Sequence, residues 1–578
     1  MSSCKKQAQR NDAIAALPPI YRAALTSTDK SILNAPVSVT AERVREGALL
    51  PYDVLLAFSK RTLWAHAQTN CLSEVAITQG RDLLALSCSH QDSWGEGLPL
   101  AGIPVSVKDT VSIAGYDSTI GYSKYAFKPA AHDAPLIRLL RDAGAIVPFV
   151  KTNVPITLLA FESTNDVFGR TANPHNYAYS PGGSSGGEAA LLALRGSRIG
   201  IGTDVAGSVR VPAAWSGIYA LRCSTGRFPR SGNMAAMAGQ EGVPAVYSPM
   251  ATTLPDLRYL FESVLAMRPW EYDHTVHPLP LHRTGDEPMM EIGRLRWGVL
   301  RSDGVVPPTP AIQRALDTTI AALRAYGDEV VELADPPSCY AALRLAIRLL
   351  NADAGETYAS HFTSFFESND PGVAVLSRFF ALPRLAKRLY AWYLRLRGDP
   401  VTAGLVDDLC TRSVADQWRL VTEREAVRAQ WFDYLRGPLS GGNDNENEPV
   451  GLILTPVHAL PGLPAGGGKD TIAACGYTFL WNLLDYAAGV VPVGRVDPAC
   501  DDVNKATADA DGRRGNRRGG NMIARKAWAL YDARKMAGLP IAVQVVSGRL
   551  QEEAVLTGME RVVNALAMEG VDYHVLEL

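Results

Sequence analysis

Residues 179–229 concentrate glycine and serine at two places, which constrains the local backbone strongly. The first is the run Pro-Gly-Gly-Ser-Ser-Gly-Gly at 181–187, and the second is Gly-Thr-Asp-Val-Ala-Gly-Ser at 202–208. Glycine tolerates positive φ and lets another backbone or a ligand approach closely, so each run predicts a tight turn. Ser184 and Ser208 are therefore expected to lie in glycine-rich turns, with little side chain around them, between helices or strands.

Helix and strand patterns alternate along most of the chain. An apolar run at 145–150 predicts a buried strand, and the helix before it is expected to be capped by Asp133 with Pro135 in its first turn. Further strands are predicted at 297–300 and 540–546. Helices are predicted at 52–68, from Pro310 to Gly327 and at 552–568. This alternation predicts an α/β fold, with a large mixed β-sheet core covered by helices on both faces.

Domain organisation is predicted from length and local composition. The chain has 578 residues, of which 47% are hydrophobic and 20% charged, as in an ordinary globular protein. We predict an N-terminal helical region over 1–95 that packs on the core, and a single α/β domain over 96–578. That domain is expected to carry a helical insertion at about 335–435 and polar, exposed loops at 440–449 and 501–521.

Charge and hydropathy argue against several classes of function. The 57 basic and 59 acidic side chains leave a net charge of −2, which gives no general attraction to nucleic acid or to an anionic membrane. The sequence has no uninterrupted apolar run of about 18 residues, so no membrane span is expected. The N-terminus lacks the apolar core of a signal peptide, and a cytoplasmic location is predicted.

Cysteine and histidine spacing does not indicate a metal or redox site. The eight cysteines include no Cys-x-x-Cys pair, and the ten histidines include no His-Glu-x-x-His motif. Two glycine runs also fail as nucleotide sites, because 200–205 lacks the last glycine of the dinucleotide fingerprint and Lys469 is followed by Asp470. No metal and no cofactor are predicted, and the expected partner is a small molecule.

A third element precedes the two serines and supplies a candidate base. The apolar run 103–107 ends at Lys108 and can carry the lysine side chain into the interior. A serine hydroxyl becomes an effective nucleophile when a base removes its proton. Lysine can be that base once burial lowers the pKa of its ammonium group towards neutrality. Most lysines are surface residues, but Lys108, Ser184 and Ser208 together suffice for nucleophilic catalysis without histidine or metal.

These segments together resemble the amidase signature family. The matching segments are the lysine run at 102–109, three stretches between 161 and 176, the two glycine-serine runs, and 481–486, 491–493, 530–532 and 544–546. The later segments resemble the fungal general amidases, the acetamidase-like branch. The resemblance covers nearly the whole chain. It implies the amidase-signature fold and hydrolysis of a carboxamide to a carboxylate plus ammonia or an amine.

The resemblance also implies a role for each site residue. Lys108 would be the base, Ser184 a bridging serine held by a cis peptide, and Ser208 the nucleophile that becomes acylated. An oxyanion hole would be formed by the backbone N–H groups of Val205, Ala206, Gly207 and Ser208. Substrate binding or support of the site would come from Ser185, Asp204, Trp481, Asp485 and Tyr486.

Two positions depart from the family pattern. Ala206 stands where many relatives have glycine, which is harmless unless the position needs positive φ. Cys223 stands where proline is usual, in the run Leu-Arg-Cys-Ser at 221–224. A change of packing or pocket shape is favoured over a second nucleophile at Cys223.

Other functions compete with this interpretation. Residues 182–186 also match Gly-x-Ser-x-Gly, the nucleophile turn of α/β-hydrolases, but the segment before them is a poor strand. A biosynthetic or lipid amide hydrolase, a scaffold with weak activity and a tRNA amidotransferase subunit are further alternatives. The apolar segment from Phe379 to Trp392 could bind lipid, although ordinary helix packing is favoured. Acyl size and oligomeric state stay open, and a homodimer is one alternative because relatives are often dimers.

Overall fold

The structure is a computed structural model that describes residues 2–88, 97–281, 293–363, 367, 370–437, 450–502 and 520–578. In the described part of the chain, eleven strands form one mixed sheet in the order β1-β3-β2-β4-β6-β5-β10-β11-β9-β7-β8. The strands are β1 (Leu72–Val75), β2 (Ser106–Lys108), β3 (Val150–Thr152), β4 (Ile199–Asp204), β5 (Tyr219–Arg222), β6 (Val246–Ala251), β7 (Arg296–Val299), β8 (Glu329–Glu332), β9 (Leu452–Pro456), β10 (Ala487–Arg495) and β11 (Pro540–Ser547).

Helices cover this sheet. They are α1 (Ser2–Ala15), α2 (Ser27–Asn34), α3 (Val37–Arg45), α4 (Pro51–Thr69), α5 (Ile77–Cys88), α6 (Pro135–Asp142), α7 (Gly186–Ala193), α8 (Arg210–Ser216), α9 (Leu254–Ala266), α10 (Pro310–Ala325), α11 (Cys339–Leu350), α12 (Glu356–Ala359), α13 (Pro371–Ala381), α14 (Arg384–Leu396), α15 (Pro400–Asp408), α16 (Val414–Arg436), α17 (Gly468–Thr471), α18 (Gly476–Leu484), α19 (Pro498–Asp501), α20 (Met522–Ala529) and α21 (Glu552–Met568). The α/β class with a large mixed sheet is confirmed.

Three parallel strands position the two halves of the candidate site. β2 lies between β3 and β4, with Ser106 opposite Gly200 and Val107 opposite Ile201. Parallel strands present their carboxyl ends at the same edge of a sheet. The last residues of β2 and β4, Lys108 and Asp204, are therefore brought to one edge.

Several elements begin and end where the sequence predicts. α10 starts at Pro310, whose missing N–H costs nothing at a first helical position, and the chain leaves it through Gly327 at φ 101°. α21 packs Val555 and Met559 against β10. Gly489 of β10 makes this contact feasible, because a Cβ there would lie 2.1 Å from the Met559 sulfur.

Two local predictions are wrong. The strand predicted at 145–150 forms at Val150–Thr152 instead, and Pro148 explains the shift because it has no N–H to donate to a neighbouring strand. Asp133 does not cap α6, since the proline at the first helical position makes Ala134 the N-cap. The Asp133 carboxylate accepts from the Ala114 N–H and from Arg141.

Helices α1 to α5 come from the N-terminal region, which also supplies one edge of the sheet. β1 pairs antiparallel with β3. Leu55, Phe58 and Leu72 form a second apolar cluster with Phe149 and Leu191. This cluster joins the two predicted regions through a shared core.

In the part of the chain where a helical insertion is predicted, at about 335–435, the described residues form helices α11 to α16. The predicted polar loop at 440–449 and the part of the second loop at 503–519 lie outside the described residues. At the margins of the second loop, Asp501 is buried and pairs with Arg314, and Asn521 caps α20. Within the described residues, none of the helices combines the length and the apolar character needed to cross a bilayer.

Candidate active site

Lys108 lies at the end of β2, and its side chain is fully buried. Its Nζ donates to Ser184 Oγ at 2.7 Å and to Thr203 Oγ1 at 2.6 Å. Ser184 belongs to the first glycine-serine turn, and Thr203 belongs to β4, the strand that pairs with β2. The structure therefore joins the lysine to the first of the two predicted serines.

The pKa of Lys108 is matched to proton transfer near neutral pH. Burial lowers this pKa to about 7, although the carboxylates of Asp204, Glu188 and Asp109 favour the charged ammonium. At pH 7 and above, a large fraction of the lysine carries an uncharged amine with a free electron pair. A group in that state can accept a proton from the hydroxyl beside it.

Glu188 fixes the helix that follows the serine turn. Burial raises the pKa of its carboxyl to about 7, against the effect of its hydrogen bonds and of Lys108. The carboxyl accepts from Ser106 Oγ of β2, and from Thr152 Oγ1 of β3 at 2.7 Å. Because Glu188 lies in the first turn of α7, these bonds hold the start of that helix against two strands of the site.

The first glycine-serine turn is packed too closely against its neighbours for a side chain larger than that of glycine. Gly182 has φ 94°, and a Cβ at Gly183 would lie 2.3 Å from the Ala160 carbonyl oxygen. The peptide between Gly183 and Ser184 is cis, as the resemblance implies. The Ser185 N–H donates to the Ser208 carbonyl oxygen at 3.1 Å, so the two turns lie directly against each other.

Asp204 organises the second turn. Its carboxylate accepts from the backbone N–H of Gly207 at 2.8 Å and of Val209 at 3.2 Å. Arg210 and Asn482 donate to the same carboxylate, at 3.0 and 2.8 Å for the closest atoms. The turn that presents Ser208 is therefore fixed by a buried charge rather than by glycine alone.

The Ala206 departure is harmless in this arrangement. The positive φ of the turn falls on Gly207, at 117°, and Ala206 is outside that region. A Cβ at Gly207 would lie 2.4 Å from Thr478 Oγ1, so the position of this turn that requires glycine is 207. Alanine is therefore compatible with the backbone at 206.

The backbone amides of this turn divide into two groups. In the described part of the chain, the N–H groups of Val205, Ala206 and Ser208 have no hydrogen-bond acceptor. Gly207 differs, because its N–H already donates to Asp204. The prediction that Gly207 belongs to an oxyanion hole is therefore contradicted, and three free donors remain.

The Asp204–Arg210 pair is fully buried and charged. Burial alone would raise the pKa of Asp204, but Arg210 holds it well below its usual range. Removing one member of such a pair leaves an isolated buried charge.

We therefore expect Asp204→Ala to lower the free energy of unfolding by about 3–5 kcal/mol. Urea denaturation followed by tryptophan fluorescence measures this loss. Glu271→Ala is the matched control, since it removes an exposed ion pair with Arg268 and should change stability by about 1 kcal/mol or less. Equal stability of both variants would contradict the structural role of Asp204.

A cavity of about 200 Å³ opens in front of the second turn. Ser208, Val205 and Ala206 form part of its wall. The remainder is mostly apolar and includes Leu158, Phe161, Leu376, Phe379, Leu405 and Phe479. Two exposed lining residues, Lys469 and Lys526, lie where the cavity meets solvent. The arrangement can hold a molecule with an apolar group next to the Ser208 hydroxyl.

Trp481, Asp485 and Tyr486 do not line this cavity, so of the two roles predicted for them, substrate binding or support of the site, support is the one that stays a prediction. The Asp485 carboxylate accepts from Arg222 at 3.0 Å and from Arg549 at 2.9 Å. Tyr486 stacks on Trp481 with ring centroids 6.3 Å apart. These residues stabilise the sheet and α18 behind the site.

Cys223 is buried just after β5, and its backbone N–H donates to Ser248 Oγ at 3.1 Å. Burial raises the pKa of its thiol well above the usual value, so the reactive thiolate is disfavoured. The geometry supports a packing role, as predicted.

Sequence reasoning missed three residues that complete the site. Thr203 accepts from Lys108, Asn482 donates to Asp204, and Thr478 Oγ1 donates to the Ala206 carbonyl oxygen at 2.7 Å. Thr203 could have been found, because it lies within the second glycine run. The other two come from α18, some 270 residues further along the chain, and no local pattern marks them.

Comparison with known proteins identifies what this arrangement is similar to. The profile of the family described as Amidase matches residues 53–556. The chain is 31% identical to the acetamidase of Aspergillus oryzae over 545 residues, covering 93% of this chain and 91% of that protein. It is 32% identical to fatty-acid amide hydrolase 1 of Sus scrofa over 93% of this chain and 86% of that protein. Among solved structures, a fatty acid amide hydrolase superposes with a TM-score of 0.81 and 26% identity, over 98% of this chain and 94% of that chain.

Proposed function

Since the chain belongs to the amidase family, we propose that it cleaves its substrate through an acyl-enzyme on Ser208, with Lys108 as the base and Ser184 between them. Hydrolysis of carbon–nitrogen amide bonds follows from the family and from the acetamidase and amidase relatives. The roles of the three residues rest on geometry. The observation that carries them is the 2.7 Å hydrogen bond between Ser184 and a fully buried lysine.

In the first half of the reaction, the uncharged Lys108 amine accepts the proton of Ser184 Oγ, and Ser184 accepts the proton of Ser208 Oγ. The Ser208 oxygen attacks the amide carbonyl carbon, and the carbonyl oxygen becomes an oxyanion. The free N–H groups of Val205, Ala206 and Ser208 stabilise that charge. Donors fixed in a turn that is already in place need little reorganisation as the charge develops.

In the second half, the tetrahedral intermediate collapses and its carbon–nitrogen bond breaks. The leaving nitrogen takes a proton that returns from Lys108 through Ser184, and ammonia or an amine departs. Water then attacks the acyl-enzyme and gives its proton to the same relay. The relay returns that proton to Ser208, and the product leaves as a carboxylic acid, which loses its remaining proton to solvent and becomes the carboxylate.

We propose that the preferred substrate carries a large apolar acyl group. The support is the cavity beside Ser208, whose wall is mostly aliphatic and aromatic. An acetamide methyl group would cover little of that wall. Each further methylene buried there is worth about 0.8 kcal/mol, or about fourfold in affinity for the transition state.

A series of primary amides graded in chain length tests this proposal. We expect kcat/KM to rise by about fourfold for each added methylene until the cavity is filled. Val406→Trp narrows the cavity and should lower the ratio of long-chain to acetamide activity by about tenfold or more. A flat or falling series in the wild-type enzyme would contradict a large acyl group without affecting the assignment of Ser208.

Compartment and assembly stay predictions. A cytoplasmic location is expected, and a homodimer rests on resemblance to relatives. Neither is needed for the reaction, since all proposed site residues come from one chain.

A further inference from the structure

Glu188 places a second titratable group on the face of the sheet that carries Lys108. Ser106 and Lys108 are two residues apart on β2, and side chains two residues apart point to the same face of a strand. The Glu188 carboxyl accepts from Ser106 Oγ on that face. Thr152, which also donates to it, is paired with Lys108 in the register of β2 and β3. Glu188 is therefore held by two neighbours of Lys108 in the sheet.

The carboxyl of Glu188 also lies against β4. A Cβ at Gly200 would lie 1.8 Å from Glu188 Oε1, so the carboxyl is packed directly on the backbone of that strand. Gly200 is paired with Ser106 in the register of β2 and β4. Both Glu188 and Lys108 are fully buried. Charges buried in this way are poorly screened and act on each other strongly.

The two groups titrate in the same range of pH. Burial raises the pKa of the Glu188 carboxyl to about 7 and lowers the pKa of the Lys108 ammonium to about 7. Each charge also acts on the other, because the carboxylate favours the ammonium and the ammonium favours the carboxylate. When two groups interact in this way, the protons leave in steps that belong to the pair.

Two other carboxylates act on the same lysine, and both have partners of their own. Asp204 is paired with Arg210, which holds the pKa of that carboxyl well below its usual range. Asp109 accepts from Ser73 Oγ at 2.7 Å. Glu188 differs from Asp204 because, in the described part of the chain, its hydrogen-bond donors are neutral hydroxyls and it is in no ion pair with a cation.

The remaining titratable groups around α7 do not compensate the charge of Glu188. Lys151 of β3 donates to the Asp117 carbonyl oxygen. Arg61 of α4 donates to the carbonyl oxygen of Leu194, at the far end of α7. Burial raises the pKa of the Cys71 thiol to about 12, so this group is uncharged near pH 7.

We propose that Glu188 is a positioning residue that sets the pH at which Lys108 becomes the base. Its negative charge holds the proton on Lys108, so the free amine forms at a higher pH than it would beside a neutral group. The same charge stabilises the ammonium that forms when Lys108 accepts the proton of Ser184. Glu188 itself forms and breaks no bond. This inference rests on the proposed function, since it concerns the base of that reaction.

The pH profile of kcat/KM for a short, water-soluble amide tests the proposal. In Glu188→Gln the acidic limb should lie about one pH unit below that of wild type, because removing a nearby opposite charge lowers the pKa of an ammonium. At pH 6 the variant should then keep about half of its own plateau activity, about fivefold more than wild type keeps. The plateau itself should fall by about threefold, since a weaker base accepts the proton less readily.

Glu552→Gln is the matched control. Glu552 is also fully buried, and it accepts from the Ser224 N–H at 2.6 Å, but it is not one of the carboxylates that act on Lys108. Its replacement should leave the acidic limb at the wild-type position.

Thr152→Val is a second, independent variant. Valine has nearly the shape of threonine but removes one donor to the Glu188 carboxylate, which disfavours the ionised form. The acidic limb should move in the same direction as in Glu188→Gln, by a smaller amount. This variant supplies the measurement if the glutamine variant does not fold.

The role of Glu188 would be overturned by an acidic limb that stays in place, or moves to higher pH, in both Glu188→Gln and Thr152→Val. It would also be overturned if Glu552→Gln moved the limb as far as Glu188→Gln does. Lys108→Met distinguishes this failure from failure of the proposed function. A limb that disappears in Lys108→Met but is unmoved in Glu188→Gln would leave Lys108 as the base, whereas a limb that persists in Lys108→Met would overturn both.

Discussion

Ser208→Ala is expected to lower kcat by about 10⁴- to 10⁶-fold, the loss found when the nucleophile of a serine hydrolase is removed. The cavity, the free amides at Val205 and Ala206 and the Lys108–Ser184 bond would all remain. Substrate could therefore still bind, but no oxygen would be placed to attack the carbonyl carbon. Steady-state turnover of the best amide in the graded series measures the effect.

Cys223→Ala is the matched control for this variant. Cys223 is the alternative nucleophile, and it is buried with a thiol that resists ionisation. Its replacement should leave kcat within about twofold, because only a small side chain in the sheet is changed. Background turnover that is equal in wild type and Ser208→Ala would favour a scaffold that keeps the fold without the activity.

Lys108→Met should lower kcat/KM by about 10³-fold or more and should also change the pH profile. In the wild type the active form of Lys108 is the uncharged amine. Activity should therefore rise with pH through about 7, and fall by tenfold per pH unit below it. Methionine fills similar space but has no proton acceptor, so the residual activity of the variant should lack this acidic limb.

Lys151→Met separates the loss of a base from the loss of a buried lysine. Lys151 lies on β3 beside β2, is fully buried, and donates to Asp117 O and to Ser118 Oγ. Its replacement should leave the acidic limb at the wild-type position, even where it lowers stability. An acidic limb that persists in Lys108→Met would contradict the assignment of Lys108 as the base.

The reactive residues could be predicted because their signals are local. Glycine runs mark the turns of Ser184 and Ser208, and an apolar run marks the buried end of β2 at Lys108. The structure adds the contact between Lys108 and Ser184, which depends on the packing of the start of α7 against β2 and β3. That packing cannot be read from the sequence.

The support residues were predicted less well because their contacts are distant in the chain. Asp485 is engaged by Arg222 and Arg549, and this network turns it away from the cavity. The assignment of the Gly207 N–H to the oxyanion hole could have been avoided from the sequence. An aspartate three residues earlier can accept the N–H of a turn residue. The residues of the cavity wall, which come from helices α13, α15 and α20 among others, could be identified only from the folded structure.

The secondary structure was likewise predicted well where the sequence pattern is local and regular, and less well where it depends on contacts with distant residues. α21 was predicted with its observed bounds, because its amphipathic pattern is long and regular. β3 was misplaced, because a buried apolar run does not by itself show which of its residues pair. The segment from Phe379 to Trp392 was assigned to ordinary helix packing, but Leu385, Leu389 and Trp392 are exposed, since an amphipathic pattern does not reveal whether its apolar face meets protein.

The central claim is that Ser208 carries the acyl group. Rapid acid quenching during turnover of a slow amide, followed by peptide mass spectrometry, locates that group directly. The account predicts an added acyl mass on the peptide that contains Ser208, absent in Ser208→Ala. An acyl group on Ser184, Ser185 or Cys223 in the wild type would contradict it.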